Sequence, residues 1–319
     1  MCVLECQIII ISLCALEMEM CMLDWNTPKL SDKEWIEKCV KESQYIGSDA
    51  AFANIYLLRS KYNIKVTYYK DLLIRYYEGL GNRKGYTFPL GRKDVLSALY
   101  AIEQDAKEMN RPLEFCFVTE EQKEILENTF AGRTESSSDA GDYDYIYGQP
   151  ELSLLSGRTY HKKKNHVSKF KRTYEDYMFC EIGNGNLDDV MLIEDEWYYD
   201  RLQQDDTSAM KEYEAIREAV DNFEELSLSG GIIYANNVPV AMTIASYIND
   251  AAVDIHFEKA VGEYAVNGGF AAINQMYAST LKDVKFINRE EDINIPGLRK
   301  AKESYHPKFM LKKYGVRVK

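Results

Sequence analysis

The sequence predicts an α/β (α+β) protein built from two copies of one unit. Both halves of the chain read in the same order: hairpin, strand, helix, strand. A polar stretch, Gly132 to Asp142, lies between them and reads as a loop or junction. The chain has 319 residues with a hydrophobic fraction of 46%, which suits about two cores rather than one. The expected division is a leader at 1–23, a first domain at 24–141, and a second domain at 142–319 that carries the site.

The leader, Met1 to Leu23, holds four of the seven cysteines and an apolar run from Ile8 to Leu16. That run is too short to span a bilayer, and no Lys or Arg precedes it as in a signal peptide. It is expected to be an upstream start or a short extra helix outside the fold. None of the cysteines forms a CxxC pair, and no Cys/His set has zinc spacing, so reduced thiols and no metal are expected.

Ser31 and Glu34 spell a capping box for a helix running to about Glu42. Ala50 to Lys61 reads as a second helical stretch. Ile64 to Tyr69 and Leu72 to Tyr77 are strands joined by Lys70-Asp71, a hairpin. Gly85 to Leu90 is a further strand. Arg92 to Met109 carries Val95, Leu96, Leu99, Ile102 and Ala106 on one helical face. Leu113 to Val118 is a strand, and Glu120 to Phe130 a helix. In the second half Tyr143 to Tyr147 is a strand, and Pro150 opens the next helix. Helices fill Leu187 to Gln203 and Ser208 to Leu226. Gly231 to Ala235 and Val238 to Tyr247 form a hairpin around Asn236-Asn237. Val253 to Lys259 is a strand, Asn267 to Leu281 a helix, Val284 to Asn288 a strand, and Gly297 to Tyr305 a helix.

The formal charge is -12, yet Gly157 to Arg172 holds seven Lys and Arg and no acid. A positive segment in a negative protein attracts phosphate, from a nucleic-acid backbone or a phosphorylated small ligand; the alternative is a solvated helix face. Tyr160, Val167 and Phe170 have helical spacing within it, so the segment is expected to dock on the core.

Strict alternation along Val253 to Lys259 puts Asp254, His256 and Glu258 on one face. Three ionisable groups there suit a polar cleft, or an edge strand with a solvated face; the two-residue spacing of Asp254, His256 and Glu258 would also allow a metal, which no other sequence feature supports. Asn288, Arg289, Glu290 and Asp292 follow the last strand of the unit, where ligands of open α/β sheets bind. Arg299, Lys302, Tyr305 and His306 lie close together on the helix after them. Both charge signs in one place suit an amino-acid ligand or an ester with its phosphate.

These residues resemble a known family. The motifs are Gly157-Arg158-x-Tyr160-His161-Lys162-Lys163-x-Asn165-His166 with Phe170; Phe257 to Ala260; Ala272 to Gln275; Ile287 to Glu290; and Gly297 to Lys302 with Ser304 to Pro307. The chain is similar to the DUF2156 group, and so to the carboxyl-terminal domain of phosphatidylglycerol lysyltransferase. The match spans residues 143 to 314 and extends more weakly back to about residue 25. The resemblance implies two tandem GNAT-like domains, related to the Fem peptidyltransferases, with a cleft where two neighbouring strands splay.

It also implies an acyltransferase that moves an aminoacyl group from aminoacyl-tRNA to a lipid, peptide, amine or hydroxyl acceptor, with no cofactor. Glu258, Asn288, Arg289 and His256 are the expected catalytic residues. Glu290, Asp292, Arg299, Lys302 and Tyr305 are expected to bind substrate. Arg158, His161, Lys162, Lys163, Lys164 and Lys169 are expected to bind tRNA or phosphate. Two alternatives stand: an N-acyltransferase using acyl-CoA or an acyl carrier, and a non-catalytic RNA- or peptide-binding protein on the same scaffold. Glu263 to Phe270 lacks the glycine-rich loop usual in CoA-dependent relatives. A cytoplasmic location, with peripheral contact at the inner membrane face, is expected.

Overall fold

Two mixed sheets organise the chain in the computed structural model, which describes residues 23–202 and 209–319. The leader up to residue 22, and the helix ends read at Gln203 and Ser208, lie outside the described residues.

Helix α1 (Lys33–Ser43) buries Ile36, Cys39 and Val40. Its start differs from the Ser31/Glu34 reading: the chain turns once as a 3-10 helix at Leu30–Asp32, and Asp32 accepts the Lys29 N–H at 2.8 Å. Helix α2 (Phe52–Leu57) is shorter than expected because Ser48–Ala50 forms a turn of its own. Strands β1 (Lys65–Tyr69) and β2 (Leu72–Glu78) pair across Lys70 and Asp71, with φ of 50° and 66°. That left-handed pair matches the twist of the strands it joins. Strand β3 (Lys84–Thr87) is antiparallel to β2, and helix α3 (Leu96–Glu108) returns the chain to β4 (Leu113–Val118), parallel to β3. Helix α4 (Glu120–Thr129) begins with a Thr119–Gln122 capping box.

The stretch read as a loop contains strand β5 (Thr134–Ser138). A further departure explains it. After strand β6 (Asp144–Gly148), helices α5 (Gln149–Leu154) and α6 (His161–Thr173), and strand β7 (Met178–Glu181), come helices α7 (Leu187–Leu202) and α8 (Ala209–Asp221). Strands β8 (Ser229–Ala235), β9 (Val238–Asn249) and β10 (Ala252–Ala260) follow, then helices α9 (Gly262–Val266) and α10 (Gly269–Thr280), strand β11 (Phe286–Asn288) and helix α11 (Pro296–Glu303). Strand β12 (Phe309–Leu311) closes the second sheet, but strand β13 (Tyr314–Val318) crosses back into the first, between β4 and β5. The polar β5 is a strand because β13 supplies its ladder, from Tyr314 opposite Ser138 to Val318 opposite Thr134.

The second sheet runs β12-β6-β11-β10-β9-β8-β7. Helix α10 covers one face, where Ala272 and Ile273 meet Ile233 and Val240. The other face packs on α7, α8 and the first half: Ile232, Met242 and Ile244 share one cluster with Ile193 and Ile216, and with Ile36, Ile55, Val66 and Leu73 of the first half. Each such isoleucine contributes about 1.5–3 kcal/mol by burial, so the two sheets share a core.

A buried charged seam lies in the same contact. Lys313 reaches Asp144 at 2.7 Å and Asp49 at 3.1 Å, and Arg75 reaches Asp49 at 3.0 Å. Asp144 also accepts from the Ser48 backbone and from Asn288 Nδ2, each at 2.8 Å.

Candidate active site

Strands β10 and β11 pair in parallel from Ala252 opposite Phe286 to Asp254 opposite Asn288. There β11 ends, while β10 continues to Ala260 bonded to β9 alone. The side of this free length of β10 that β11 leaves is the place where the splayed-strand cleft is expected.

A register shift between Ile255 and Phe257 sets what faces it. Before the shift, Val253 and Ile255 point toward α10, with Tyr277 and Ala278. After it, Glu258 and Ala260 do, while Phe257 and Lys259 face α7. The bulge inserts one residue and inverts the alternation. Asp254, His256 and Glu258 therefore do not share one face. Asp254 and His256 turn to the first half, and Glu258 turns to α10.

On the α10 side, Arg289, the first residue after β11, donates from Nη2 to Glu258 Oε1 at 2.7 Å. Asn274 of α10 donates to Glu258 Oε2 at 3.0 Å. The guanidinium lies 4.9 Å from the Tyr305 ring centroid and 5.8 Å from that of Tyr147. Beside the carboxylate, two buried atoms have no hydrogen-bond partner among the described residues: the donor Arg289 Nη1 and the acceptor Asn274 Oδ1. Buried polar groups are nearly always paired, and an unpaired one costs about 1–3 kcal/mol. An unused donor and an unused acceptor on either side of a carboxylate match the carbonyl oxygen and the ammonium group of an aminoacyl unit.

Lys163 completes this wall. It stands on α6 but turns inward, with Nζ 3.7 Å from the Tyr305 ring centroid. Burial, with Arg289 nearby, brings its ammonium down to about 8. Tyr160, Lys163, Val167 and Phe170 follow helical spacing, so the inward position was available from the sequence. Asn274 lies within the motif Ala272 to Gln275 but was not singled out as a site residue.

The remaining expected residues lie elsewhere. Asn288 is fully buried and held in the seam: Nδ2 donates to Asp144 and to the Ile46 carbonyl, and Oδ1 accepts from Glu290 N. His256 faces Asp254 and Asn54 on the opposite side of the sheet. Lys302 donates to the carbonyls of Arg289 and Glu291 at 2.5 Å each, so it supports the loop that carries Arg289. Arg299 makes a bidentate pair with Asp292, which also accepts from Tyr145. Arg158, His161, Lys162, Lys164 and Lys169 are exposed, and among the described residues none pairs with a carboxylate within 4.0 Å.

Gly268 fixes how α6 approaches. Its φ is +103°, and a Cβ there would lie 2.4 Å from the His166 carbonyl oxygen. Helix α6 thus packs directly on the chain entering α10, and Gly262–Val266 before it is helical rather than an open loop.

The sequence profile described as phosphatidylglycerol lysyltransferase, C-terminal, matches residues 41–317. Comparison with curated proteins gave no match. A solved conserved protein of unknown function from Bacteroides thetaiotaomicron VPI-5482 is 30% identical over 93% of this chain and 100% of its own, with a TM-score of 0.88. The structure of L-PGS from Bacillus licheniformis is 14% identical, covering 90% of this chain and 92% of its own, with a TM-score of 0.63. FemX is 9% identical, covering 93% and 98%, with a TM-score of 0.57. These two likenesses show the fold alone, two mixed sheets flanked by helices. With most of its length matched, the chain belongs to the phosphatidylglycerol lysyltransferase carboxyl-terminal family.

Proposed function

We propose that the chain transfers an aminoacyl group from aminoacyl-tRNA to an amine or hydroxyl acceptor in the β10–β11 cleft. The observation that carries this is the Glu258 carboxylate flanked by the unpartnered Arg289 Nη1 and Asn274 Oδ1. Glu258 and Asn274 Oδ1 would hold the α-ammonium of the aminoacyl unit. Arg289 Nη1 would donate to the ester oxygen as it gains charge in the tetrahedral transition state. The ester is already activated, so the protein's work is placement and removal of the acceptor's proton. Lys163, which loses its own proton near pH 8, stands where it can take it. The unpaired cations of α6 would hold tRNA phosphates outside the cleft.

The close approach of α6 at Gly268, with a short helix where CoA-dependent relatives carry a glycine-rich loop, speaks against the acyl-CoA alternative. No described helix is long and apolar enough to cross a membrane. A lipid acceptor would therefore be met by peripheral contact of the described part.

The test is transfer of label from radiolabelled aminoacyl-tRNA to lipid and peptide extracts, with labelled acetyl-CoA in parallel. Label should leave tRNA, and Glu258→Gln should abolish its transfer. Transfer from CoA alone, or full activity in Glu258→Gln, would overturn the reading.

A further inference from the structure

On the face of β10 away from the cleft, four side chains converge. Asn54 Nδ2 lies 2.9 Å from Asp254 Oδ2, 2.9 Å from Glu290 Oε1 and 3.0 Å from the Ser48 carbonyl. His256 Nδ1 is 3.4 Å from Asp254 Oδ2 and 3.8 Å from Glu290 Oε1. Its Nε2 is 2.8 Å from Ser246 Oγ. One ligand atom each from Asp254, His256 and Glu290 lie within 4.8 Å of one another.

The charges here do not balance as they do in the rest of the seam. Asp49 and Asp144 meet Lys313, Asp49 also meets Arg75, and Glu291 meets Arg83. Among the described residues, no Lys or Arg lies within 4.0 Å of Asp254 or Glu290. Asp254 is fully buried, and its carboxylate turns into the cluster. Its second oxygen, Oδ1, has no hydrogen-bond partner among the described residues. A buried carboxylate with a second carboxylate beside it must be offset, by a proton or by a bound cation.

We propose that Asp254, His256 and Glu290 bind a divalent transition-metal cation of the Zn²⁺ type. One imidazole nitrogen and two carboxylates suit such an ion. Ligands about 2.1 Å from a tetrahedral Zn²⁺ are roughly 3.4 Å apart, close to the spacings of His256 Nδ1 to both acids. Ser246 gives the imidazole the outer partner that ligating histidines use: with Nε2–H donating to Ser246, Nδ1 offers its lone pair inward. Asn54 Oδ1 already lies 3.2 Å from His256 Nδ1, so an amide oxygen stands at the edge of the same point. The ion would join the first half, through Ser48 and Asn54, to β10 and to the loop after β11. Glu290 directly follows Arg289, so the ion would fix the loop that places the cleft's guanidinium. Its role is to position that loop; it takes no part in the transfer step.

The test uses the full chain purified without chelator. Metal content by mass spectrometry should be about one equivalent, and chelation should lower the melting midpoint by about 5 °C, restored by Zn²⁺. Co²⁺ loaded in its place should give the visible absorption of a tetrahedral site. That absorption should be lost in Glu290→Gln, a variant at the cluster's more exposed edge, and in Asp254→Asn if that variant folds. Metal-free protein whose midpoint ignores both chelator and Zn²⁺ overturns the proposal. So does a Co²⁺ spectrum unchanged in Glu290→Gln, which would place the ion elsewhere.

Discussion

Asp254 and Glu258 sit four residues apart on β10 and face opposite sides of the sheet, because the bulge between Ile255 and Phe257 inverts the strand's alternation. One strand thus serves two polar regions: the cleft on the α10 side, and the contact with the first half on the other. Arg289 and Glu290, consecutive after β11, divide the same way, with φ of 55° at Glu290 turning the chain between them. Position within the loop is therefore tightly defined, and small changes there should act on the cleft.

Arg289→Lys separates charge from geometry. Lysine keeps the cation beside Glu258 but lacks the second donor nitrogen that Arg289 holds free at Nη1. If that N–H meets the ester oxygen in the transition state, the rate should fall by roughly 10²–10³. The KM for aminoacyl-tRNA should change little. A variant with the parent's kcat would remove Arg289 from oxyanion stabilisation.

Lys163 makes a prediction in pH. Folding holds its ammonium at about 8, against an ordinary 10.5, through burial and then Arg289. Between those values the folded state binds fewer protons than the unfolded one, so stability rises with pH across that window. Below it, the buried ammonium is a constant penalty. Lys163→Met should therefore melt higher than the parent at pH 7, with the gain vanishing toward pH 10.5. The transfer rate should climb with pH to a break near 8 in the parent and lose that limb in the variant. An identical profile in both would exclude Lys163 as the proton acceptor.

The exposed face of α6 is tested by salt. Lys162→Glu and Lys169→Glu alter side chains that make no ion pair among the described residues, so melting should stay within about 0.5 kcal/mol. Affinity for tRNA should drop, and the slope of log affinity against log salt should shrink by about one for each phosphate no longer neutralised. Unchanged slopes would return α6 to the solvated-face reading.

How far the sequence could be read depends on the range of the forces involved. Asn236-Asn237 and Lys70-Asp71 announce their hairpins because left-handed turn chemistry is local. Glu258 and Arg289 were read as candidates because both stand at the ends of recognisable strands, and the structure brings them together. The bulge in β10 was not, since it is a property of pairing with β9. Thr134 to Ser138 read as a loop because its partner strand lies about 180 residues further on. Asn288 looked catalytic by position, yet it bonds Asp144 and the Ile46 carbonyl from far earlier in the chain, and no local pattern carries such contacts.

That long-range dependence makes Lys313 the sharpest probe of the fold. It is buried, sits just before β13, and bridges Asp49 of the first half and Asp144 at the start of β6. Both acids hold it well above the ordinary lysine value, against the pull of burial. Removing one partner of a buried ion network leaves uncompensated charge and costs about 3–5 kcal/mol. Lys313→Met should lose that much in chemical denaturation at neutral pH. The loss should be partly recovered by adding Asp144→Asn, which removes one stranded carboxylate. The coupling between the two changes, read in a double-mutant cycle, should exceed about 1 kcal/mol. Additive losses would show that Lys313 and Asp144 do not act as a pair, and that the seam is held by the apolar core around it.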